Sequence, residues 1–426
     1  MAELIKESKR IMSDVDNNNN KFWYISLFND NSCITEWGRV GKNKQSKVFN
    51  HSSLDSAEKF FHKKCKEKDN KGYHELKIVA STGGVVTVKQ DLETIAKRDI
   101  ATQCLKVNGL VSELAKANIH NIVSNSNITY NNVTGLFETP CGVVTQECVD
   151  DARKLLMKIA SFVQRNKLTS KSYKNSLNKY LMLIPQDVGM KLNPENLYKD
   201  MDDIKAQNDI LDSLEVSIQA VVDSNNSKDE DLVKVETPKT FNVEIEHVDD
   251  VKIINRVRKK YKETRKDMHV CAHLDVKNVF KIKIPSVHDR FESDGIQIGN
   301  VMELWHGTNI ANVLSILKGG MIIPNSNASH CTGRMFGDGL YFASSSTKSL
   351  NYAYGYWSGR RNNKCFMFLA DVAMGNSYVP KSYNESLPKP GYDSTWAKSG
   401  KSGVMNDEFI VYDLKQANLT YLIEFE

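Results

Sequence analysis

The chain has 426 residues, a hydrophobic fraction of 40% and a formal net charge of +5. That length suits two or three ordinary domains, and the modest charge excludes a polycation that would hold nucleic acid by bulk electrostatics alone. No apolar run approaches the roughly eighteen residues of a membrane span, and Met1 to Asn20 is charged and then Asn-rich with no secretion-signal core, so a soluble, unsecreted protein without a membrane partner is expected. Eight cysteines (33, 65, 104, 141, 148, 271, 331 and 365) scatter without a Cys-x-x-Cys pair, which predicts reduced thiols and neither a zinc site nor a disulfide framework.

The positive charge is uneven: Trp37 to Lys77 holds eleven Lys or Arg against five Asp or Glu. Within this region Phe22 to Phe28 has the aromatic and β-branched content of a strand, Asn29-Asp30-Asn31 supplies a turn, and Cys33 to Val40 reads as a second strand. Leu54 to Lys68 reads as a helix, with Ala57, Phe60, Phe61 and Cys65 at helical spacing. Trp37 beside Arg39, Lys42, Lys44 and Lys47 could offer an aromatic face to a sugar or base and cations to phosphates. It could equally be a core tryptophan beside solvated lysines. The Trp37-Gly38-Arg39-Val40-Gly41 run, with Gln45 and Lys47 behind it, resembles a WGR domain over residues 18–90, preceded by a flexible segment 1–17. The resemblance implies an antiparallel sheet with one helix that binds damaged DNA at a nick or strand end through Trp37, Gly38, Arg39, Lys42, Lys44 and Lys47. Tyr73 stands where many members have tryptophan.

From Asp91 to Asp223 the pattern is helical, and Val149, Ala152, Leu155, Leu156, Ile159, Phe162 and Val163 fall on one helical face. Thr139-Pro140-Cys141-Gly142 reads as a loop before that helix, and Ile184-Pro185-Gln186-Asp187-Val188-Gly189 interrupts a later one. A structural helical bundle accounts for this segment as well as any regulatory role does. It resembles the helical regulatory domain of DNA-dependent poly(ADP-ribose) polymerases over residues 91–223, and a polar linker, 224–236, follows.

In the remaining part, Arg256 to Lys262 is a basic cluster that reads either as one exposed helix face or as a nuclear-import-like run. Phe366 to Val372, Phe409 to Tyr412 and Leu419 to Phe425 read as short strands of a sheet-rich domain, so the whole is a multidomain α+β chain. Leu304-Trp305-His306-Gly307-Thr308 is followed by a turn, Gly333 to Gly339, that leads into Leu340-Tyr341-Phe342-Ala343, and then by Lys348-Ser349-Leu350-Asn351-Tyr352. Glycines that allow close backbone approach suit a flat ligand pressed against main chain. Together with Asp407-Glu408-Phe409-Ile410-Val411-Tyr412, these runs resemble the catalytic domain of poly(ADP-ribose) polymerases over residues 237–426.

That resemblance implies NAD+ as substrate, no permanently bound cofactor and no metal. Its His-Tyr-Glu signature falls on His306, Tyr341 and Glu408, with Lys348 beside the nicotinamide pocket. Gly307 and Ser349 would grip the carboxamide, Tyr341 and Tyr352 would supply aromatic faces, His306 would hold the adenosine ribose, and Thr308, Asn312 and Gly320 would complete the NAD+ contacts. Glu408 would orient the nicotinamide ribose and polarise the acceptor, which favours polymer formation. The implied protein is a nuclear, DNA-break-stimulated transferase of DNA repair that modifies itself and other proteins. Single-unit transfer, or an inactive DNA-binding adaptor, is the alternative. Ile322 and Arg334 depart from the usual arginine and tyrosine, and Val379 to Met405 is short for a DNA-dependent member, which leaves acceptor choice open.

Overall fold

The computed structural model describes residues 2–75, 92–100, 102–131, 136–139, 142–226, 239–323, 335–356, 361–382 and 385–426. The chain divides into two compact units, one of residues 1–91 with 121–218 and the other of 92–120 with 219–426.

The first unit opens with strands β1 (Leu4–Asp14), β2 (Asn19–Phe28), β3 (Ser32–Arg39) and β4 (Gln45–Asn50), helix α1 (Leu54–Asp69) and the short β5 (His74–Glu75). They form an antiparallel sheet in the order β4-β3-β2-β1-β5. The expectation of a flexible 1–17 is corrected here, because β1 pairs with β2 from Leu4 to Asp14. Its charged side chains hide an alternation that buries Ser8 and Arg10 on one side and Ile11 and Ser13 on the other. Helix α1 starts where the Ser53 hydroxyl accepts the Ser56 amide, and Ala57, Phe61 and Cys65 pack down on Trp23, Ile25, Leu27 and Cys33. Truncating Phe61 to alanine there would cost about 3–5 kcal/mol.

Next come α2 (Leu92–Asp99) and α3 (Leu105–Asn125), then β6 (Thr129–Asn131), β7 (Leu136–Thr139) and β8 (Gly142–Val143), followed by α4 (Gln146–Gln164), α5 (Lys171–Leu183), α6 (Pro194–Leu197) and α7 (Met201–Asn226). The expected all-helical segment therefore contains a small sheet, β6-β7-β8, and its residues are shared between the two units. Within the first unit, α4 buries Val149, Ala152, Leu156, Ile159 and Val163, with Leu155 and Phe162 at the margin. Arg153 on α4 holds both Asp212 and Glu215 of α7 at 2.8 Å.

The second unit gathers α2 and the start of α3 with β9 (Glu244–His247), α8 (Val251–Thr264), β10 (Val276–Lys283), α9 (Pro285–Arg290), β11 (Val301–Gly307), α10 (Ile310–Gly319), β12 (Leu340–Phe342), α11 (Ser346–Tyr354), β13 (Cys365–Ala373), β14 (Ser377–Tyr378), β15 (Ser394–Ala397), β16 (Glu408–Val411) and β17 (Ala417–Phe425). Its larger sheet runs β11-β13-β17-β10-β9 and its smaller one β12-β16-β15-β14. The buried side chains Trp305, Met367, Leu369, Ile423 and Phe425 form a core capped by Val257 and Tyr261 of α8 and Leu350 of α11. The basic cluster of α8 lies on a helix, where Arg256 and Lys260 pair with Glu303 at 2.6 and 3.2 Å. Helices α2 and α3 are tied in by polar contacts: Asp99 accepts the amides of Thr240 and Phe241, Lys364 bonds Glu113, and the Asn118 amide donates to the Ala311 carbonyl. Among the described residues, no helix is long and apolar enough to cross a membrane.

Candidate active site and nucleic-acid interface

Strand β11 is an edge of the larger sheet, and at Trp305 its backbone exchanges two 2.9 Å hydrogen bonds with Ala343, just beyond β12 of the smaller sheet. This seam brings His306 and Tyr341 together. The His306 Nδ1 lies 2.9 Å from the Tyr341 carbonyl oxygen. A carbonyl can only accept, so Nδ1 carries a hydrogen.

The glycines are dictated by crowding. A Cβ on Gly307 would stand 1.8 Å from the Ser349 carbonyl oxygen, so only glycine lets β11 run against α11. Gly337 has φ +89°, and from that turn its carbonyl accepts the Tyr341 hydroxyl at 2.8 Å while the Phe336 amide donates back to the same oxygen at 3.0 Å. The turn thus fixes the Tyr341 ring by its far end.

Helix α11 supplies Lys348, Ser349 and Tyr352. The buried Ser349 hydroxyl donates to the Trp305 carbonyl at 3.1 Å and keeps acceptor capacity for a ligand. Tyr352 is half-buried and lies one turn beyond Lys348, hence on the same helix side. Glu408 begins β16, and its alternation with Ile410, the partner of Tyr341, puts it on the Tyr341 side of that sheet. Lys348 Nζ meets Glu408 Oε1 at 2.6 Å, with the two side chains only 16% and 13% exposed. Burial pulls the Lys348 ammonium below the usual lysine range, an effect the Glu408 carboxylate opposes.

Thr308 and Asn312 lie together at the start of α10, the Asn312 amide 3.4 Å from the Thr308 hydroxyl. Gly320 is not gathered with them. It ends α10 with φ +88° against Val287, about 12 Å along the helix from Asn312. Ile322 is exposed, and Arg334 lies outside the described residues.

Four residues escaped the sequence reading. Thr347, Asn406, Lys266 and His269 form a connected polar group next to Lys348 and Glu408. Only adjacency in sequence could have flagged Thr347 and Asn406, and nothing local marks Lys266 or His269.

In the first unit, Trp37 is half-buried and packs against the cluster of Trp23 and Phe61, so its ring serves the core in part. Gly38 passes 3.0 Å from the Phe22 ring, as a built Cβ would measure it. Arg39 is committed to protein: its Nε donates to the Gly189 carbonyl at 2.7 Å and its two terminal nitrogens to Asn18 oxygens at 2.8 Å. Lys42 likewise holds Asp187 at 2.8 Å. Lys44 pairs with Glu36 at 2.6 Å but remains exposed, and exposed Lys47 leans over the Phe49 ring. Tyr73 is buried, with the Lys68 ammonium 4.8 Å from its ring.

The model of the poly(ADP-ribose) polymerase catalytic domain matches residues 252–426, and the WGR domain model matches residues 9–79. The chain is similar to protein mono-ADP-ribosyltransferase PARP3 of Homo sapiens, 28% identical over 422 residues, covering 91% of this chain and 75% of that protein. It is also similar to poly [ADP-ribose] polymerase 1 of Gallus gallus, 26% identical over 461 residues, and to poly [ADP-ribose] polymerase of Drosophila melanogaster, 24% identical over 462 residues. Those two matches take in 97% of this chain and 44% and 45% of the respective relatives, so the chain spans less than half their length. The match to this catalytic domain, carried by one antiparallel and one mixed sheet, defines a transferase that uses NAD+ as substrate. Over residues 252–426 the chain is similar to the poly(ADP-ribose) polymerase catalytic domain, and the match to the WGR domain, residues 9–79, lies ahead of it.

Proposed function

We propose that this chain transfers ADP-ribose from NAD+ to itself and to other proteins, elongates the product into polymer, and is stimulated by DNA breaks in the nucleus. The observation that carries the reading is the buried Lys348–Glu408 pair beside the Tyr341 strand. In the reaction, the bond from the ribose carbon to the nicotinamide nitrogen breaks, nicotinamide leaves with the bonding pair, and an acceptor oxygen or carboxylate attacks the cationic sugar carbon. A carboxylate at that point stabilises the developing positive charge and accepts a hydrogen bond from the ribose or the incoming hydroxyl. Lys348 keeps Glu408 aimed. The Gly307 backbone and Ser349 hydroxyl suit a carboxamide, Tyr352 and Tyr341 suit a flat ring, and His306, Thr308 and Asn312 suit the adenosine side. Gly320 contributes by ending α10.

For DNA, the support lies in the WGR match and the exposed hairpin lysines, Lys44 and Lys47, next to Trp37. Arg39 and Lys42 instead join that sheet to the 186–192 segment, which gives the helical residues a route to sense what the sheet binds. On this reading residues 91–223 regulate the catalytic residues 237–426. Incorporation of radiolabelled NAD+ with and without nicked duplex, resolved on a sizing gel, tests the proposal. No polymer from the parent chain at saturating DNA refutes elongation, and equal incorporation without DNA refutes stimulation.

A second reading, single-unit transfer, is favoured by the match to a relative named as a mono-ADP-ribosyltransferase over 75% of its length. The same gel separates the two.

A further inference from the structure

The Lys348–Glu408 pair is held from behind by a closed circuit of hydrogen bonds. Thr347, fully buried, immediately precedes Lys348, and Asn406, 9% exposed, stands two residues before Glu408. One segment, Lys266 to His269, spans from the first to the second. The Lys266 amide donates to the Thr347 hydroxyl at 2.9 Å, and its Nζ donates to Asn406 Oδ1 at 2.6 Å. The His269 ring sits between the same two residues, Nδ1 2.8 Å from Thr347 Oγ1 and Nε2 3.4 Å from Asn406 Nδ2.

The proton positions in this circuit can be derived. An ammonium has no acceptor capacity, so Asn406 must turn its oxygen to Lys266 and its NH2 to the imidazole. His269 Nε2 therefore accepts and carries no hydrogen. In neutral imidazole the hydrogen is then on Nδ1, which donates to Thr347 Oγ1, and the Thr347 hydroxyl passes its own hydrogen to the Lys266 carbonyl at 3.4 Å. Each donor meets an acceptor only while His269 is neutral. A second proton on Nε2 would face the Asn406 NH2 and break the circuit on the Glu408 side.

We propose that His269, with Lys266, is a positioning residue for ADP-ribosyl transfer: in its neutral form it ties Thr347 to Asn406 and so holds Lys348 and Glu408 in register. This rests on Glu408 being the catalytic carboxylate. The charged groups that face the ring are Lys266 on its own segment and Lys348 on α11, whose charge is shared with Glu408 of β16, while Asp407 is turned away onto Trp396 and the Ser399 amide. Burial first, and then the two lysines, hold the His269 pKa below the ordinary histidine value. The sign follows: the ring is neutral at neutral pH, and activity falls only as pH drops beneath the ordinary histidine range and protonates it.

The test uses the full chain with saturating nicked duplex and radiolabelled NAD+, giving kcat and KM for incorporation between pH 5 and 9. His269→Ala should lower kcat on the order of tenfold to a hundredfold, as a displaced catalytic group does, with KM for NAD+ changed less than about threefold. His269→Gln keeps a donor and an acceptor but cannot titrate, so it should recover most of kcat at pH 8 and lose the acidic limb above the carboxylate range. Thermal midpoints at each pH show that the variants are folded. A kcat for His269→Ala near the parent's, a glutamine variant as damaged as the alanine one, or an unchanged acidic limb in His269→Gln overturns the proposal. Glu408→Gln measured alongside separates the failures: if it elongates like the parent, the assignment of Glu408 falls, whereas if it is dead and His269→Ala is indifferent, the positioning role alone falls.

Discussion

Adding one methyl group at Gly307 should disable NAD+ use by moving a helix. The built Cβ lies 1.8 Å from the Ser349 carbonyl oxygen and 2.5 Å from its carbon, where ordinary contact begins near 3.4 Å. The obstructing atoms are backbone, so no side chain can rotate aside. Either β11 or α11 must retreat by roughly 1.5 Å, which is overpacking at the top of its range, about 1–3 kcal/mol or more. At roughly 2–4 °C per kcal/mol for a domain of this size, the catalytic transition should melt some 2–12 °C lower. The larger effect is on chemistry, because α11 carries Lys348, Ser349 and Tyr352 together. A displacement near 1 Å costs on the order of a hundredfold in turnover. Scanning calorimetry and NAD+ incorporation on Gly307→Ala, with Gly319→Ala as the control, measure both. Gly319 lies at the end of α10 with open space around its missing Cβ and ordinary φ, so the control should be unchanged or slightly stabilised. If Gly307→Ala turns over within threefold of the parent and melts with it, the close approach of β11 to α11 does not set the site.

Glu408→Gln should abolish elongation on a sizing gel while leaving some NAD+ cleavage, because the amide keeps the shape and loses the charge. Full-length polymer from it would refute the role. Tyr352→Ala should weaken nicotinamide-type inhibitors by about 0.5–1.5 kcal/mol beyond lost area, read as a several-fold rise in inhibition constant. Since burial lowers the Lys348 pKa, its ammonium loses its proton at a pH below the ordinary lysine value. The rate should therefore decline on the alkaline side as pH rises through that range, and Lys348→Arg should shift the decline upward. Arg39→Ala removes three bonds to Asn18 and Gly189 and should lower DNA stimulation while leaving DNA-independent activity intact. A normal response to nicked duplex in incorporation assays would remove Arg39 from the coupling.

What the sequence made legible follows from how local each signal is. Phe22 to Phe28 and Cys33 to Val40 match β2 and β3 because aromatic and β-branched residues concentrate there, and Leu54 to Lys68 matches α1 because its apolar residues recur at helical spacing. Strand β1 carries little apolar signal because Lys6, Glu7, Lys9 and Arg10 dilute it, and Arg10 is buried among Asp69 of α1, Glu75 of β5 and Ser8. The assignment of α2 and of α3 up to His120 to the second unit had no sequence signal at all. It rests on contacts such as Asp99 with Thr240 and Asn118 with Ala311, 141 and 193 residues apart. The site divides the same way: His306, Tyr341 and Glu408 stand in recognisable runs, whereas the ring of His269 reaches Thr347 from 78 residues away.

The larger sheet of the second unit has its middle strand, β17, supplied by residues 417–425, between β13 and β10. During synthesis this places assembly at the end of a long wait. Strands β9 and β10 emerge early but can only pair with each other, and β11 and β13 likewise, until β17 arrives to join the two ribbons. At about 5–20 residues per second, the interval from the end of β10 to the end of β17 is on the order of ten to thirty seconds. Through that time two ribbons expose strand edges that invite association with other nascent chains. A frameshift just before the codons for residues 417–425 would then be far more damaging than the length of that strand implies, since it would leave the sheet as two unjoined halves.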